Sequence, residues 1–356
     1  MKALIAMSGG VDSSVAACLM KERGFDCVGA TMKLFQNKDI GISKSHTCCS
    51  LEDVEDAKDV AYKLRIPHYV FNFSEKFRER VIEPFINAYE NGVTPNPCID
   101  CNRYLKFEKL LLRAKELDID YVVTGHYARI DFDEETGKYR LKKAVDNAKD
   151  QSYVLYSMTQ EQLKHTLFPL GELTKPKVRE IAEQHGFLNA QKHDSQYICF
   201  VPGGDHAAFI ERYTGKTYPK GDFVDLCGNR IGKHKGIVRY TVGQHKKLGM
   251  SFEKPMYVCR ICPETQTVVL GQERDLYLNS VVVSGFNWIS GEAPKEKFRC
   301  KAKIRYRQPE QWATAEAFPD GSVRIIFDMP QRAVTPGQAA VLYDGDIVLG
   351  GGTISR

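Results

Sequence analysis

Apolar positions follow two different patterns along the chain. In the first half, short apolar runs typical of buried strands alternate with stretches whose apolar residues recur at helical spacing. The first run, Ala3–Met7, is followed by apolar residues at helical spacing from Val15 to Met20. Strands that alternate with helices are typical of an α/β fold with a doubly wound parallel sheet, in which ligands lie at the carboxyl ends of the strands. The same alternation predicts strands at Phe25–Leu34, at His68–Phe73 and from Tyr121 onward, and helices at Leu51–Leu64 and Arg103–Leu117.

The pattern changes after Val201–Gly204. Long helical periods stop there, and short β-like runs punctuated by glycine follow. The residues up to about Leu270 are predicted to form a small β-rich domain, and the remainder an all-β barrel or sandwich. A chain of 356 residues is too long for one ordinary core. We therefore predict three domains, at residues 1–202, 203–270 and 271–356.

The composition is that of an ordinary soluble protein, with 43% hydrophobic and 27% charged residues. No run approaches the roughly 20 apolar residues that cross a bilayer, and MKALIAMSGG at the start is typical of a strand rather than of a signal peptide. We therefore expect a cytoplasmic protein with no membrane partner, in which the eleven cysteines are core, metal-binding or catalytic residues rather than a disulfide framework. The net charge of +5 permits an acidic partner without requiring one.

The segment SGGVDSS, Ser8–Ser14, links the first predicted strand to the first predicted helix. Its glycines let the backbone approach a phosphate closely, and the N–H groups at a helix start form an anion site. Asp12 cannot face a phosphate without a cation, so the segment implies Mg²⁺ as well as a nucleotide. It carries neither the P-loop lysine nor the dinucleotide fingerprint. An ordinary tight turn is the alternative, but the pattern resembles the loop of ATPases that cleave between the α- and β-phosphates.

Two cysteines stand three apart in TPNPCIDCN, Thr94–Asn102, just before a predicted helix. Cys98 and Cys101 fit half of a zinc site completed by CRIC at residues 259–262, a redox pair, or a catalytic or cluster-binding pair. CRIC lies in a strand-like run, and a redox pair would follow the first strand of its own small fold. We therefore favour the catalytic or cluster-binding role near the nucleotide. The other thiols beside predicted elements are weaker candidates when taken alone: Cys48, Cys49 and Cys199.

The segment KFRCKAKIRYRQ has a cation at every second position from Lys297 to Arg307. Alternate residues of a strand share a face, so one face would be a row of cations and the other, from Phe298 to Tyr306, would be core. A row of a single sign favours contact with nucleic-acid phosphates, whereas a merely soluble edge strand is the alternative.

Segments along nearly the whole chain resemble those of the bacterial tRNA-specific 2-thiouridylases. They are AMSGGVDSS, CCSLEDVEDA, TPNPCIDCN, TGHYAR, DNAKDQSYVLY, DSQYICF, YTVGQHKKLG and RYRQP. That family converts the wobble uridine of the tRNAs for Lys, Glu and Gln to 2-thiouridine. The resemblance implies a PP-loop ATPase domain, ATP and Mg²⁺ as cofactors, tRNA as a partner, and a cysteine desulfurase or sulfur-relay protein as the sulfur donor.

The resemblance also implies roles for individual residues. Transfer of AMP to the uridine O2 would make that oxygen a good leaving group. Cys199 would carry a persulfide, and Cys101 would be the nucleophile that releases the persulfide sulfur or displaces AMP through hydrosulfide. The uridine would have to leave its stack to reach this site. In the family these two cysteines also pair as a disulfide. The implied ATP-binding residues are Ala6, Met7, Ser8, Gly9, Gly10, Val11, Asp12, Ser13, Met32 and Gly125, and the implied tRNA-binding residues are Asn96, Pro97, His126, Lys149, Asp150, Gln151, Arg305, Tyr306 and Gln338.

One position departs from the family pattern. Much of the family has an aspartate, taken as the general acid/base, where this chain has Cys98. A thiol could replace that aspartate only with a pKa near neutrality. The alternative is that Cys98, Cys101 and Cys199 ligate three irons of a 4Fe-4S cluster whose fourth iron binds sulfide. A less favoured alternative for the whole chain is another PP-loop adenylating ligase.

Overall fold

The computed structural model describes residues 1–35, 51–192 and 197–355. Its strands are β1 (Lys2–Ala6), β2 (Asp26–Lys33), β3 (His68–Asn72), β4 (Tyr121–Val123), β5 (Ala128–Asp133), β6 (Lys138–Lys143), β7 (Thr166–Leu167), β8 (Gly221–Val224), β9 (Arg230–His234), β10 (Tyr257–Cys262), β11 (Thr267–Gly271), β12 (Tyr277–Trp288), β13 (Phe298–Lys303), β14 (Gln311–Ala317), β15 (Val323–Arg332), β16 (Ala339–Asp344) and β17 (Ile347–Ile354). Its α-helices are α1 (Val11–Glu22), α2 (Leu51–Lys63), α3 (Ser74–Phe77), α4 (Glu83–Glu90), α5 (Pro97–Asp100), α6 (Leu110–Glu116), α7 (Gln160–Lys164), α8 (Lys175–Gln184) and α9 (His206–Thr214).

A parallel sheet with the order β3-β2-β1-β4-β7 forms the centre of the first half. In β1, Ala3, Leu4 and Ile5 are fully buried, as expected for a strand with helices on both faces of its sheet. The chain moves outward from β1 to β3 on one side and from β4 to β7 on the other. The switch between β1 and β4 opens a crevice at their carboxyl ends, where such folds bind ligands. The predicted α/β class with a doubly wound parallel sheet is confirmed.

The predicted helix from Arg103 to Leu117 is wrong at its start. The helical segment begins at α5, continues as a π-helix over Cys101–Lys109 and ends in α6. Pro97 occupies the first helical turn, and the side chain of Asn96 caps it by accepting from the Cys98 N–H at 3.2 Å. The helix therefore starts early enough to include both cysteines of TPNPCIDCN.

The second half contains two β-domains. A four-stranded sheet, β10-β11-β8-β9, packs behind α9, and the last strands form an antiparallel barrel in the order β12-β15-β14-β13-β16-β17. Pairing of β12 with β17 closes that barrel, which decides between the predicted barrel and sandwich. None of the described helices is long and apolar enough to span a membrane.

A hairpin from the first half, β5–β6, extends the barrel sheet. Its strand β6 pairs with β17 at Lys142 and Ile347, a link that the sequence patterns did not predict. Further bonds tie the barrel to the first half: the Tyr153 hydroxyl donates to the Ala339 carbonyl at 2.8 Å, and the Gln338 amide donates to the Thr94 carbonyl at 2.8 Å. The barrel is thereby fixed beside the carboxyl edge of the parallel sheet.

Candidate active site

The loop between β1 and α1 is shaped for a phosphate group. Gly9 has φ +74°, and a Cβ there would lie 2.4 Å from the Asp53 carbonyl oxygen. The N-cap residue of α1 is Gly10, which has no side chain to bond the first N–H groups of this twelve-residue helix, so these groups remain directed at the crevice. The Ser13 hydroxyl accepts from the Ser8 N–H at 3.2 Å and donates to the Gly10 carbonyl at 2.9 Å, which holds the loop open. Gly125 closes the opposite side, where a Cβ would meet the Ser13 nitrogen at 2.8 Å.

Residues distant in the sequence stabilise this loop by hydrogen bonds. The Lys175 ammonium, at the start of α8, donates to both Asp12 carboxylate oxygens, at 2.7 and 2.9 Å, and the Tyr127 hydroxyl donates to one of them at 2.8 Å. The Asn189 amide donates to the Gly9 carbonyl and to the Ser14 hydroxyl, both at 2.9 Å. The loop is therefore preorganised by polar contacts that local sequence patterns do not show.

The contacts of Asp12 change the argument for Mg²⁺. From the sequence, Mg²⁺ was predicted because the Asp12 carboxylate needs a cation beside it. In the structure, the Lys175 ammonium is that cation. Asp53 pairs with Lys192 at 2.7 Å, and Asp150 accepts from the Ser152 hydroxyl at 2.8 Å. Every carboxylate that lines the crevice in the described residues is thus engaged by the protein. This donor set does not fit a resident Mg²⁺ ion.

The crevice continues as one cavity of about 940 Å³ from the phosphate loop to the barrel. That volume is at the upper end of the range for small-molecule sites, roughly 300–1,000 Å³. Five cations line it against three carboxylates within the described residues, so the cavity suits polyanions. The cations are Lys106, Lys149, Lys192, Lys303 and Arg307.

The three cysteines singled out from the sequence line this same cavity. Cys98 is exposed in the first turn of α5, and Cys101 is half-buried at the start of the π-helical segment. Cys199, whose local sequence taken by itself is typical of a core residue, is half-buried. It packs against the aromatic cluster that includes Phe200. Cysteine thiolates are the usual ligands of iron–sulfur clusters, so the residue types of this lining are compatible with the predicted cluster-binding role. In contrast, Cys259 lies in β10 away from the cavity, and Cys48 and Cys49 lie outside the described residues.

His126 is buried in the cavity wall next to a lysine that the sequence interpretation missed. Its Nδ1 lies 2.6 Å from the Thr124 hydroxyl, and its Nε2 lies 3.3 Å from the Lys106 ammonium. Burial first, and the charge of Lys106 second, lower the pKa of His126 well below the ordinary value. The ring is neutral at pH 7, so Nε2 accepts from Lys106 and Nδ1–H donates to Thr124. This arrangement fixes the Lys106 ammonium at the cavity wall.

The predicted tRNA-binding residues divide into those that line the cavity and those that do not. Pro97, Lys149 and Tyr306 line it with His126, as do Asp150 and Gln151. Asp150 accepts from the Ala144 N–H at 3.0 Å, and the Gln151 side chain accepts from the Tyr127 N–H at 2.9 Å, so both also shape the wall. The residues outside the lining set are Asn96, which caps α5, Gln338, which bonds to Thr94, and Arg305.

The predicted row of cations on KFRCKAKIRYRQ is only partly correct. Phe298, Cys300, Ala302 and Ile304 do pack inward, but β13 ends at Lys303, and Arg305 to Arg307 form a turn. The Arg305 guanidinium points back and donates to the Ala333 carbonyl and the Thr335 hydroxyl, both at 2.7 Å. Acidic residues of neighbouring barrel strands pair with the other end of the row, Arg299 with Asp328 at 2.7 Å and Lys297 with Glu316 at 3.2 Å. Only the end formed by Lys303 and Arg307 faces the cavity.

These features define a class: a nucleotide-binding α/β domain of the PP-loop type whose phosphate site opens into a cysteine-lined, cationic cavity closed by a β-barrel. Three family descriptions match successive parts of the chain. They are the tRNA methyl transferase HUP domain over residues 1–203, the tRNA methyl transferase PRC-barrel domain over residues 207–272, and the aminomethyltransferase β-barrel domain over residues 278–354.

Curated relatives match the chain over its full length. The "tRNA-specific 2-thiouridylase MnmA" of Clostridioides difficile (strain 630) is 50% identical, over 100% of this chain and 98% of the relative. The protein of the same name from Acetivibrio thermocellus is 51% identical, over 99% of both chains. The chain belongs to the family of tRNA-specific 2-thiouridylases, as the sequence motifs predicted. Among solved structures, a 4-thiouridine synthetase–RNA complex with bound ATP is similar at 17% identity and a TM-score of 0.35, over 60% of this chain and 50% of that one, a likeness too low to support an argument.

Proposed function

We propose that this protein is an ATP-dependent tRNA sulfurtransferase that converts the wobble uridine of the tRNAs for Lys, Glu and Gln to 2-thiouridine. The observation that supports this most is the single cavity in which the phosphate loop, Cys101 and Cys199 all take part. The full-length relatives named as 2-thiouridylases support the same activity. We expect the protein to work in the cytoplasm, with sulfur supplied by a cysteine desulfurase or a relay protein.

In the first step, the uridine O2 attacks the α-phosphate of ATP, and pyrophosphate leaves. The N–H groups of the loop and of the α1 start bind the phosphates, while Ser8 and Ser13 add hydroxyl groups and Lys192 adds positive charge at the wall. Met32 lies near the carboxyl end of β2 and Gly125 just after that of β4, the two strands that flank β1, where both would border the adenosine. Mg²⁺ would enter with the phosphates of ATP, because the carboxylates of this site are already paired.

In the second step, sulfur replaces the activated oxygen. The terminal sulfur of a Cys199 persulfide attacks C2, AMP leaves with O2, and a C2–S–S–Cys199 link remains. The Cys101 thiolate then attacks the Cys199 sulfur, which releases 2-thiouridine and leaves a Cys101–Cys199 disulfide for reduction by an external thiol. The alternative for Cys101 is to attack the Cys199 sulfur of the persulfide first. This step forms the Cys101–Cys199 disulfide and releases hydrosulfide, which then attacks C2 and displaces AMP.

The role of Cys98 distinguishes two versions of this chemistry. In the persulfide version, its thiol moves the proton that an aspartate moves in much of the family. In the cluster version, Cys98, Cys101 and Cys199 would hold a 4Fe-4S cluster, which would supply an open iron for sulfide. Iron and labile sulfide in anaerobically purified protein would support the cluster version, whereas an iron-free preparation with full activity would exclude it.

The test of the proposed function is a reconstituted reaction with ATP, Mg²⁺, a sulfur donor and unmodified tRNA, followed by mass spectrometry of the nucleosides. We expect 2-thiouridine from the wild type and from the control variant Cys227→Ala, because Cys227 is exposed between β8 and β9 and does not line the cavity. Cys101→Ala and Cys199→Ala should make none while still releasing pyrophosphate. Unchanged product from either variant would refute the assigned roles.

A further inference from the structure

A second cluster of metal-ligating side chains lies at the far ends of α1 and α8, outside the active-site cavity. Cys18 and Glu22 are four residues apart on α1, so they share a face of that helix. His185 directly follows the last residue of α8. One ligand atom from each of the three residues lies within 4.8 Å of the other two. Three kinds of ligand, a thiol, a carboxylate and an imidazole, thus converge on one point.

The separations match those of ligands around one tetrahedral ion. Bond lengths of about 2.3 Å to sulfur and about 2.1 Å to nitrogen and oxygen place a tetrahedral S···O pair about 3.6 Å apart and an N···O pair about 3.4 Å apart. In the structure, the Cys18 Sγ lies 3.7 Å from the Glu22 Oε1, and the His185 Nε2 lies 3.2 Å from that same oxygen. Adjustments of a few tenths of an ångström would therefore complete these two pairs.

The surroundings also suit a metal ion. Cys18 is buried at the floor of the cluster, whereas the side chains of Glu22 and His185 are 54% and 37% exposed, so an ion can enter from solvent. The His185 ring stacks on Phe187 with centroids 5.8 Å apart, which limits its rotation.

We propose that Cys18, Glu22 and His185 form a binding site for one Zn²⁺ ion, with water as the fourth ligand. Binding forms one bond from zinc to each side chain, and the thiol proton passes to solvent, with no change in oxidation state. The starts of the same two helices are already joined by Asp12 and Lys175 at 2.7 Å. The ion would join their other ends, so that α1 is attached to α8 both at the phosphate loop and at its far end.

The test measures zinc content and cobalt spectra of the full-length chain, with Zn²⁺ and Co²⁺ as the probes. Wild type, His185→Gln and Glu22→Gln are stripped with chelator, loaded anaerobically and desalted. All three keep every cysteine, so metal held at the active-site thiols or elsewhere cancels in the comparison. The matched control is His165→Gln, which breaks another Glu–His pair with the same kind of contact, 3.5 Å from His165 to Glu161.

We expect wild type and His165→Gln to hold one more equivalent of zinc than His185→Gln and Glu22→Gln. The thiolate-to-cobalt absorption should fall by the contribution of one thiolate in the latter two. Zinc should also raise the thermal midpoint of wild type by about 2 °C or more relative to His185→Gln. Each variant is compared with and without zinc, so that the loss of the exposed His185–Glu22 contact itself cancels. Equal zinc content and equal cobalt spectra in wild type and His185→Gln would overturn the proposal.

Discussion

The ion pair between Asp12 and Lys175 should control how well the phosphate loop binds ATP. We predict that Lys175→Met weakens ATP binding although Lys175 is not among the residues that line the cavity. The substitution keeps the length and apolar stem of the side chain but removes two hydrogen bonds, of 2.7 and 2.9 Å, to Asp12. It leaves a partly buried carboxylate at the start of α1 with no cation, next to the position of the phosphates.

The magnitude follows from the burial of the pair. Breaking a buried ion pair by removal of one partner costs about 3–5 kcal/mol. Lys175 is 9% exposed in its side chain but Asp12 is 30% exposed, and water at Asp12 reduces the cost. We expect a loss of about 2–3 kcal/mol in the free energy of unfolding. We also expect the uncompensated charge of Asp12 beside the phosphates to weaken ATP binding by about 1.4 kcal/mol, which corresponds to a tenfold rise in KM for ATP.

The assays are urea unfolding and pyrophosphate release at varied ATP concentration with saturating tRNA. The control is Lys177→Met, two residues further along α8, because Lys177 forms an exposed pair with Glu180 at 2.8 Å and should contribute less than about 1 kcal/mol. If Lys175→Met and Lys177→Met have the same KM for ATP and the same unfolding midpoint, the positioning role of Lys175 is refuted.

Three further outcomes follow from the contacts of the site. Gly9→Ala should abolish pyrophosphate release, because the loop needs φ +74° and the added Cβ would lie 2.4 Å from a carbonyl oxygen, whereas Gly137→Ala, in an open surface turn with φ +66°, should keep it. Because burial lowers the pKa of His126, the unfolded chain binds more protons, and the free energy of unfolding should fall as the pH drops below about 6.5. In urea unfolding, His126→Gln should lose less of this free energy between pH 6.5 and 5 than the wild type does. An equal loss in both proteins would contradict this prediction. Arg305→Met should lower the free energy of unfolding by about 1–3 kcal/mol, because it removes the bonds to Ala333 and Thr335. Arg307→Met should leave that free energy unchanged and reduce the salt dependence of tRNA binding by about one phosphate contact. The reverse result would contradict the turn geometry.

Local sequence patterns predicted the elements that carry their own signal. The phosphate loop was predicted because its glycines and serines follow an apolar strand directly. Strand β1 lies within one residue of its predicted range, and α1 includes the predicted helical stretch but begins four residues before it, at Val11. The resemblance to the thiouridylases assigned Cys199 and Cys101 to one site, and both do line the same cavity. Periodicity alone could not make that assignment, because a cysteine after an apolar run is typical of a protein core.

Other parts of the site depend on contacts between distant segments. Lys175 and Asn189 reach the phosphate loop from more than 160 residues away, and nothing in their local sequence distinguishes them from surface residues. The short strand β7 and the pairing of β6 with β17 are equally invisible to local periodicity. Arg305 fitted the alternating row of cations, but β13 ends two residues before it. The Arg305 guanidinium therefore donates to a backbone carbonyl instead of facing the phosphates of a nucleic acid.

The central claim is that sulfur travels from Cys199 to the uridine C2 with the help of Cys101. The most direct measurement loads Cys199 with an isotope-labelled persulfide, removes the donor, and adds ATP, Mg²⁺ and unmodified tRNA for a single turnover. We predict one labelled 2-thiouridine and one AMP per loaded chain, together with a Cys101–Cys199 disulfide detected by peptide mass spectrometry. Label that stays on Cys199 while unlabelled 2-thiouridine forms would contradict the account.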